Sequence, residues 1–192
     1  MPPKVKYTKK DVVDAALLIV REEGEGSLSA RRIAARMGCS TAPIFSCFAD
    51  IAELRLAVLS YAFGVYKEYF ARGLSEEKPF LGIGVAYLRF AMDESQFFKM
   101  LFMSPGGNEG SGFFPSGDPD SGGVIEMIAA SNSISAESAA ALYNHISVYN
   151  HGLATMLASG QRVFDISKCR EMLSEMFYSL LNYYKEKESI CL

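Results

Sequence analysis

The stretch SARRIAARMGCSTAPIFSCF, residues 29–48, constrains the fold more than any other part of this chain, because it predicts two short helices joined by a tight turn. Ser29 is a favourable N-cap for the first helix. Gly38 follows that helix's last apolar residue, where glycine adopts the left-handed conformation that ends a helix. Ser40 offers a second N-cap, and Pro43 falls in the first turn of the next helix, where its missing N–H breaks no helical hydrogen bond.

A third helix, predicted over residues 8–23, is needed to close a small core with these two, since helices this short are not stable alone. Three helices in this order form a helix-turn-helix, in which the last helix lies in the DNA major groove with its N-terminal residues nearest the bases. The spacing alone leaves an ordinary helical hairpin in a bundle as the alternative. In the DNA-binding interpretation the exposed N-terminal positions are Thr41, Ala42, Pro43 and Ser46.

Read together, the residues from Val12 to Leu54 resemble the DNA-binding head of the TetR/AcrR family of bacterial regulators. The pattern is V-x-x-A-A, then Gly24, S-x-R-x-I-A, M-G-C-S-T-A-P-I-F-x-x-F and D-x-x-E-L. The resemblance implies an all-α homodimer with a helix-turn-helix head, residues 1–50, that binds a palindromic double-stranded DNA operator. It also implies a helical domain, residues 51–192, that dimerises and binds a small-molecule effector. The function implied is that of a repressor, released from DNA by the effector.

Two residues depart from the family's usual head. Phe45 stands where a tyrosine is usual, so a hydroxyl that could donate to a phosphate is missing, and Ile51 stands where a lysine is usual. These departures leave open a second interpretation, a dimeric helical protein that binds small molecules and has weak or no specific DNA binding. Arg31 does match a family position that usually reaches DNA. The predicted DNA-binding residues are Lys9, Lys10, Ser29, Arg31, Ser40, Thr41, Ala42, Pro43, Phe45 and Ser46.

The charge of the chain is unevenly distributed. The net charge of −3 argues weakly against a nucleic-acid partner, but residues 1–50 hold eight Lys/Arg and six Asp/Glu, so they carry +2 and the rest −5. Four lysines cluster where the first helix begins, where they could follow the DNA backbone. Lys4 and Lys6 could equally belong to a solvated terminus.

Apolar periodicity after the head predicts six further helices, over residues 50–72, 79–91, 96–103, 124–130, 136–158 and 166–187. The first of these is apolar nearly all round, so we expect it to be buried on both sides. The segment 104–123 is rich in Gly, Pro and Ser and predicts a loop too long for a simple connection. Phe113 and Phe114 in its middle could anchor the loop or form a lid.

Aromatic and methionine side chains are dense around residues 80–103, which suits either a plain core or an adaptable binding pocket. The segment H-G-L-A beginning at His151 resembles one branch of the family's C-terminal domains, and His151 could hydrogen-bond a ligand or a core partner. We expect an unidentified, largely apolar effector. The predicted effector-binding residues are Tyr87, Phe98, Phe102, Met127 and His151.

The last two predicted helices have wide apolar faces. The family uses two such helices for a two-fold four-helix interface, whereas burial within one chain is the alternative. The predicted dimer-interface residues are Leu142, Ile146, Tyr149, Leu173, Phe177, Leu180 and Tyr184.

Several other classes of protein are disfavoured. No apolar run approaches the ~18 residues of a membrane span and the N-terminus lacks an apolar signal region, so we expect a cytoplasmic protein that does not interact with membranes.

The four cysteines lack C-x-x-C pairing, which is typical of free thiols in a reducing compartment. Cys39 and Cys47 flank the predicted recognition helix, so a thiol redox sensor is a further alternative, although packing explains Cys39.

Catalysis is the least favoured class. No serine or cysteine lies in a nucleophile signature, no P-loop is present, and Gly82-x-Gly84 lacks the preceding strand and third glycine of a nucleotide loop. His145 and His151 are six residues apart and do not share a helix face as metal ligands four apart would. We therefore predict no enzyme, no metal site and no cofactor.

Overall fold

The computed structural model describes residues 7–104, 121–161 and 164–190. Within these ranges the chain is all-helical, which confirms the predicted fold class. The helices are α1 (Lys9–Glu23), α2 (Ala30–Met37), α3 (Ala42–Cys47), α4 (Ile51–Leu74), α5 (Pro79–Asp93), α6 (Ser95–Phe102), α7 (Ser121–Asn132), α8 (Ala136–Ala158) and α9 (Ile166–Ile190), with a 3₁₀ turn at Glu25–Ser27.

Helix α1 begins and ends where its capping residues predict. Thr8 and Asp11 form a reciprocal capping box, in which the Asp11 N–H donates to Thr8 Oγ1 at 3.2 Å and the Thr8 N–H donates to Asp11 Oδ2 at 2.7 Å. Gly24 ends the helix with φ 84°, and its N–H donates to the carbonyl of Val20 at 2.8 Å. Only glycine adopts this conformation without strain.

The turn between α2 and α3 agrees with the sequence except at Ser40. Ser29 caps α2, and Gly38 is left-handed with φ 67° and ψ 33°. The expectation that Ser40 caps α3 is wrong, because the N-cap is Thr41 and its side chain makes no capping hydrogen bond. Pro43 explains why Ser40 does not cap, since the capping side chains of α1, α2 and α4 each accept the N–H three residues on, and the residue three after Ser40 is Pro43, which has no N–H.

The core of the head continues without a break into the rest of the chain. Ile33, Ile44 and Phe48 pack with α1, and Leu54 and Val58 of α4 belong to the same buried cluster, which extends to α5, α6 and α8. Helix α4 therefore contributes to both the head and the body. The domain boundary at residue 50 stays a prediction.

Helix α4 is buried on one stripe only. Asp50 caps it by accepting the Glu53 N–H at 2.8 Å, as its position predicts. The expectation of burial on both sides is wrong, because Leu56 and Tyr61 are 62% and 45% exposed. The reason is that the buried residues of α4 lie along one side of the helix, and an apolar composition does not by itself supply a neighbour for the other side. These buried residues are Leu54, Val58, Ala62, Tyr66 and Gly73.

Helices α4 and α5 cross at two glycines. A Cβ atom added to Gly73 would lie 2.5 Å from the carbonyl oxygen of Gly82 and 2.8 Å from the Cα of Ile83. Both are backbone atoms and cannot rotate away. The close approach of the two helices therefore requires glycine at this crossing.

The remaining helices form the body around α5. Helix α7 begins at Ser121, three residues before the predicted start, so residues 121–123 are helical and do not belong to the predicted loop. Phe113 and Phe114 lie outside the described residues, as do Lys4 and Lys6. Helix α9 is three residues longer than predicted. None of the helices in the described ranges is long and apolar enough to span a membrane.

Candidate nucleic-acid interface and body cavities

The N-terminal end of α3 lies on the surface of the head. Ile44 and Phe48 are buried and hold this helix against α1 and α2. The opposite side of α3 carries short side chains and one aromatic ring, that of Phe45, which is 50% exposed. The exposed predicted residues are Ser40, Thr41, Ala42, Phe45 and Ser46, while Pro43 is half-buried.

Arg31 differs from the other basic residues of the head. It is exposed at the beginning of α2, and within the described head, residues 7–50, it is the one Lys or Arg that forms no ion pair with a carboxylate. Its neighbour Arg32 pairs with Glu23, and Arg36 pairs with Glu22, whose pKa is lowered by the hydrogen bond from Arg36. Arg31 is therefore the cation most available to an external anion.

The two predicted lysines are exposed but paired. Lys9 lies 3.3 Å from Glu53 and above the ring of Phe48, and Lys10 pairs with Asp14. Exposed pairs of this kind contribute only about 0–1 kcal/mol, so a phosphate could replace either carboxylate at little cost. Ser29 is already engaged, since its hydroxyl accepts the Arg32 N–H at 3.4 Å.

A charged clamp joins the head to the body. Arg21 of α1 donates from Nε and Nη2 to the two carboxylate oxygens of Glu94, at 3.0 and 2.9 Å, and its guanidinium lies 4.8 Å from the ring centre of Phe97. Near this ion pair, the 3₁₀ turn, α4 and α6 line an open cavity of about 700 Å³ that contains neither Arg21 nor Glu94 in its walls. Sequence reasoning missed the clamp, because its two charges are 73 residues apart and no local pattern connects them.

Four of the five predicted effector-binding residues come together in the body. The hydroxyl of Tyr87 and Nδ1 of His151 are hydrogen-bonded at 2.9 Å, and the ring of Phe98 lies 5.4 Å from Tyr87 and 5.8 Å from His151. Phe102 packs on the same rings. Burial lowers the pKa of His151 and raises that of Tyr87, so both side chains are neutral near pH 7.

This aromatic cluster is packed rather than open, since Tyr87, Phe98 and Phe102 are buried. Met127, the fifth predicted residue, lies apart from it and lines a cavity of about 280 Å³ between α5, α7, α8 and α9. A second cavity of about 30 Å³ lies beside it, and the two share Phe80, Gly84 and Ile146 in their walls. Of the residues in the cluster, Tyr87 is the one that lines either of these two cavities.

Asn150 is the functional candidate that sequence reasoning missed. It is 4% exposed and lines the smaller cavity. Its Nδ2 donates to the carbonyl of Gly84 at 3.2 Å, whereas its Oδ1 is the one buried side-chain polar atom in the described residues without a hydrogen-bond partner. The available signal was a polar residue between apolar Ile146 and Leu153 on the buried stripe of α8.

The predicted dimer residues pack within the protomer. Leu142, Ile146, Leu173 and Tyr184 are buried, and Tyr149, Phe177 and Leu180 are half-buried against the same cores. The apolar faces of α8 and α9 meet each other, α5 and α7 in one chain, which is the alternative that the sequence left open. These contacts are made within one protomer, and the role of the seven residues in a dimer interface stays a prediction.

No group of three or more His, Cys, Asp or Glu side chains that could hold a metal ion occurs among the described residues. The described cysteines, Cys39, Cys47 and Cys169, are free thiols.

No protein-family model matches this chain, and no curated protein matches it in sequence. Its fold is similar to that of a TetR-like transcriptional regulator from Rhodococcus sp. RHA1, whose crystal structure aligns with a TM-score of 0.66 over 93% of this chain and 96% of that chain. The two sequences are 14% identical, so the likeness is one of fold. The chain therefore has a TetR-like, all-helical fold.

Proposed function

We propose that this protein is a dimeric, ligand-responsive DNA-binding transcriptional regulator that represses its target genes. The observation that carries the proposal is the exposed N-terminal end of α3, together with the exposed and unpaired Arg31 at the start of α2. In a helix-turn-helix the last helix enters the major groove and the preceding helix crosses the phosphates, so α3 would contact the bases and Arg31 would contact a phosphate. The short side chains of Thr41 and Ala42 suit contacts with thymine methyl groups and hydrogen bonds from a hydroxyl.

Fluorescence anisotropy tests this proposal with the intergenic DNA upstream of the protein's own gene and with random duplex of equal length. We expect sub-micromolar binding to the former at physiological salt, at least about 1,000-fold tighter than to the latter. The affinity for both should fall as salt increases. Equal affinity for the two duplexes would contradict the proposal.

A second function is favoured by specific features of the head. Phe45 and Ile51 place apolar side chains where a hydroxyl and a charge would serve DNA binding, and Arg32 and Arg36 are paired with carboxylates. These features suit a helical dimer that binds small apolar molecules without specific DNA binding. The anisotropy titration separates the two functions, because only the regulator discriminates between the duplexes.

For the dimer we propose the exposed face of α8. Residues spaced three or four apart along this helix lie on one face that contains no Asp, Glu, Lys or Arg, and a helix face of this kind favours packing against a second helix. Gly152 has open space above it, so another helix could approach closely. The face consists of the exposed residues His145, Val148 and Gly152, with the half-buried Ala141 and Met156 at its two ends.

Replacing Val148 by arginine is expected to convert the dimer to a monomer. Val148 is 61% exposed in the protomer, so the substitution leaves the fold intact but would place a charge at the centre of the helix-helix contact. We expect the dimer dissociation constant to rise at least about 30-fold, with a 21.1 kDa species in sedimentation equilibrium. Ser60→Arg, on an exposed position of α4, is the control and should remain dimeric. A dimer unchanged by Val148→Arg would exclude this face.

We propose that α6 couples the effector to DNA. One side of α6 places Phe98 and Phe102 against Tyr87 and His151 in the body, while Glu94 and Phe97 hold Arg21 in the head. A shift of α6 on effector binding would therefore tilt α1 and alter the spacing of the two heads. A coupling of ~1–3 kcal/mol would change operator affinity ~5- to 150-fold.

A further inference from the structure

The amide of Asn150 is held in one orientation. Its Nδ2 donates to the Gly84 carbonyl of α5, which leaves Oδ1 on the other side of the same group without a donor. A buried acceptor without a hydrogen bond is destabilising, and native proteins contain few of them. The Oδ1 atom therefore identifies a place where a hydrogen-bond donor is expected.

The cavities around Asn150 fit a molecule with a small polar end and a larger apolar body. The cavity beside the amide measures about 30 Å³, more than the ~10–15 Å³ that a buried water molecule requires, so it accommodates a hydroxyl group. The adjoining cavity of about 280 Å³ has mostly apolar walls. Among the side chains that form these walls are Met127, Ile128, Leu173 and Phe177.

The charges of the lining restrict the ligand to a neutral molecule. No charged side chain lines the smaller cavity, and the larger one has one residue of each sign, Glu77 and Lys78, both exposed. A carboxylate or an ammonium group next to Asn150 would lose its hydration without gaining an opposite charge, which is costly. A carbonyl group would place an acceptor against Oδ1. A hydroxyl group supplies the missing hydrogen without a charge.

We propose that these two cavities form the effector site and that Asn150 selects a neutral, largely apolar molecule carrying a hydroxyl group, which donates its hydrogen to Oδ1. The inference rests on the proposed regulatory function only in calling the molecule an effector. Binding itself can be measured without DNA.

The test compares two probes that differ in this hydrogen, 4-pentylphenol and 4-pentylanisole, by isothermal titration calorimetry with the full chain. We expect the phenol to bind about tenfold more tightly, since one hydrogen bond of ~1.4 kcal/mol corresponds to that factor. Equal binding of the two probes, or no binding of either, would overturn the proposal and leave Asn150 as the partner of a buried water molecule.

Asn150→Leu provides the second measurement. This variant removes the acceptor while keeping an apolar side chain of similar size, so the two probes should bind it equally. Asn144→Leu is the control, because Asn144 is half-buried on the same helix and lines neither cavity. It should keep the tenfold preference, and loss of the preference there would overturn the assignment to Asn150. A failure of operator binding would contradict the regulator function and would leave these binding results unaffected.

Discussion

Replacing Gly73 by alanine is expected to lower the free energy of unfolding by about 2–4 kcal/mol, because the new methyl group has no space at the α4–α5 crossing. The added Cβ would lie 2.5–2.8 Å from Gly82 O, Gly82 C and Ile83 Cα. These backbone atoms can yield only if the two helices move apart. For a domain of this size, the midpoint of thermal unfolding should fall by on the order of 10 °C.

Gly64→Ala is a matched control for this prediction. Gly64 lies on the same helix and is exposed, and a Cβ atom added there meets nothing within 4 Å. Alanine should therefore stabilise the helix by about 0.5–1 kcal/mol, the usual gain in helix propensity. Circular dichroism at one fixed protein concentration measures both variants, since the proposed dimer would make the midpoint depend on concentration. If Gly73→Ala unfolded at the same temperature as Gly64→Ala, the close crossing would be wrong.

The crossing matters for function because α4 carries the head at one end and meets α5 at the other. Gly82, which contacts Gly73, lies two residues before Gly84, whose carbonyl binds Asn150. Arg170 of α9 also reaches Glu76 at the end of α4, with a distance of 2.8 Å. A change in the body cavities would therefore also act on α4 at this end, and this rigid helix would transmit it to the head as a second route beside the one proposed through α6.

The parts of the fold that the sequence predicts are those set by neighbouring residues. Thr8, Gly24 and Asp50 each act on a backbone group within four residues, so their positions alone locate the helix ends. The prediction that Ser40 caps α3 was wrong for an equally local reason. Pro43 removes the N–H that a cap at this turn would bind, a conflict that was present in the sequence.

The parts that the sequence does not predict are those set by distant partners. Apolar periodicity predicts the buried stripe of α8 but not whether it faces α5 or a second chain, and Leu142 and Ile146 face their own chain. Asn150 and Gly84 are 66 residues apart, so their hydrogen bond has no local signature. The exposed head residues were easier to predict, since the buried Ile44 and Phe48 determine which side of α3 faces outward.

Arg31→Ala is expected to reduce operator affinity strongly. The unpaired guanidinium at the start of α2 is positioned to bind a phosphate, and a dimer on a palindromic site carries two copies of it. If each lost contact weakens binding about tenfold, the dimer should bind about 100-fold less tightly. The slope of log affinity against log salt should become less negative by ~1.8, which is ~0.9 for each of two phosphates.

Arg32→Ala separates this specific contact from a general loss of positive charge. Arg32 follows Arg31 on the same helix and has the same formal charge, but it is engaged by Glu23. We expect its substitution to weaken binding less than tenfold and to change the salt slope by less than ~0.9. Anisotropy titrations at several salt concentrations measure both quantities for both variants. Equal losses of affinity in the two variants would show that the head attracts DNA only through its net charge. A change of ~0.9 in the salt slope for Arg31→Ala would indicate that only one protomer binds DNA at a time.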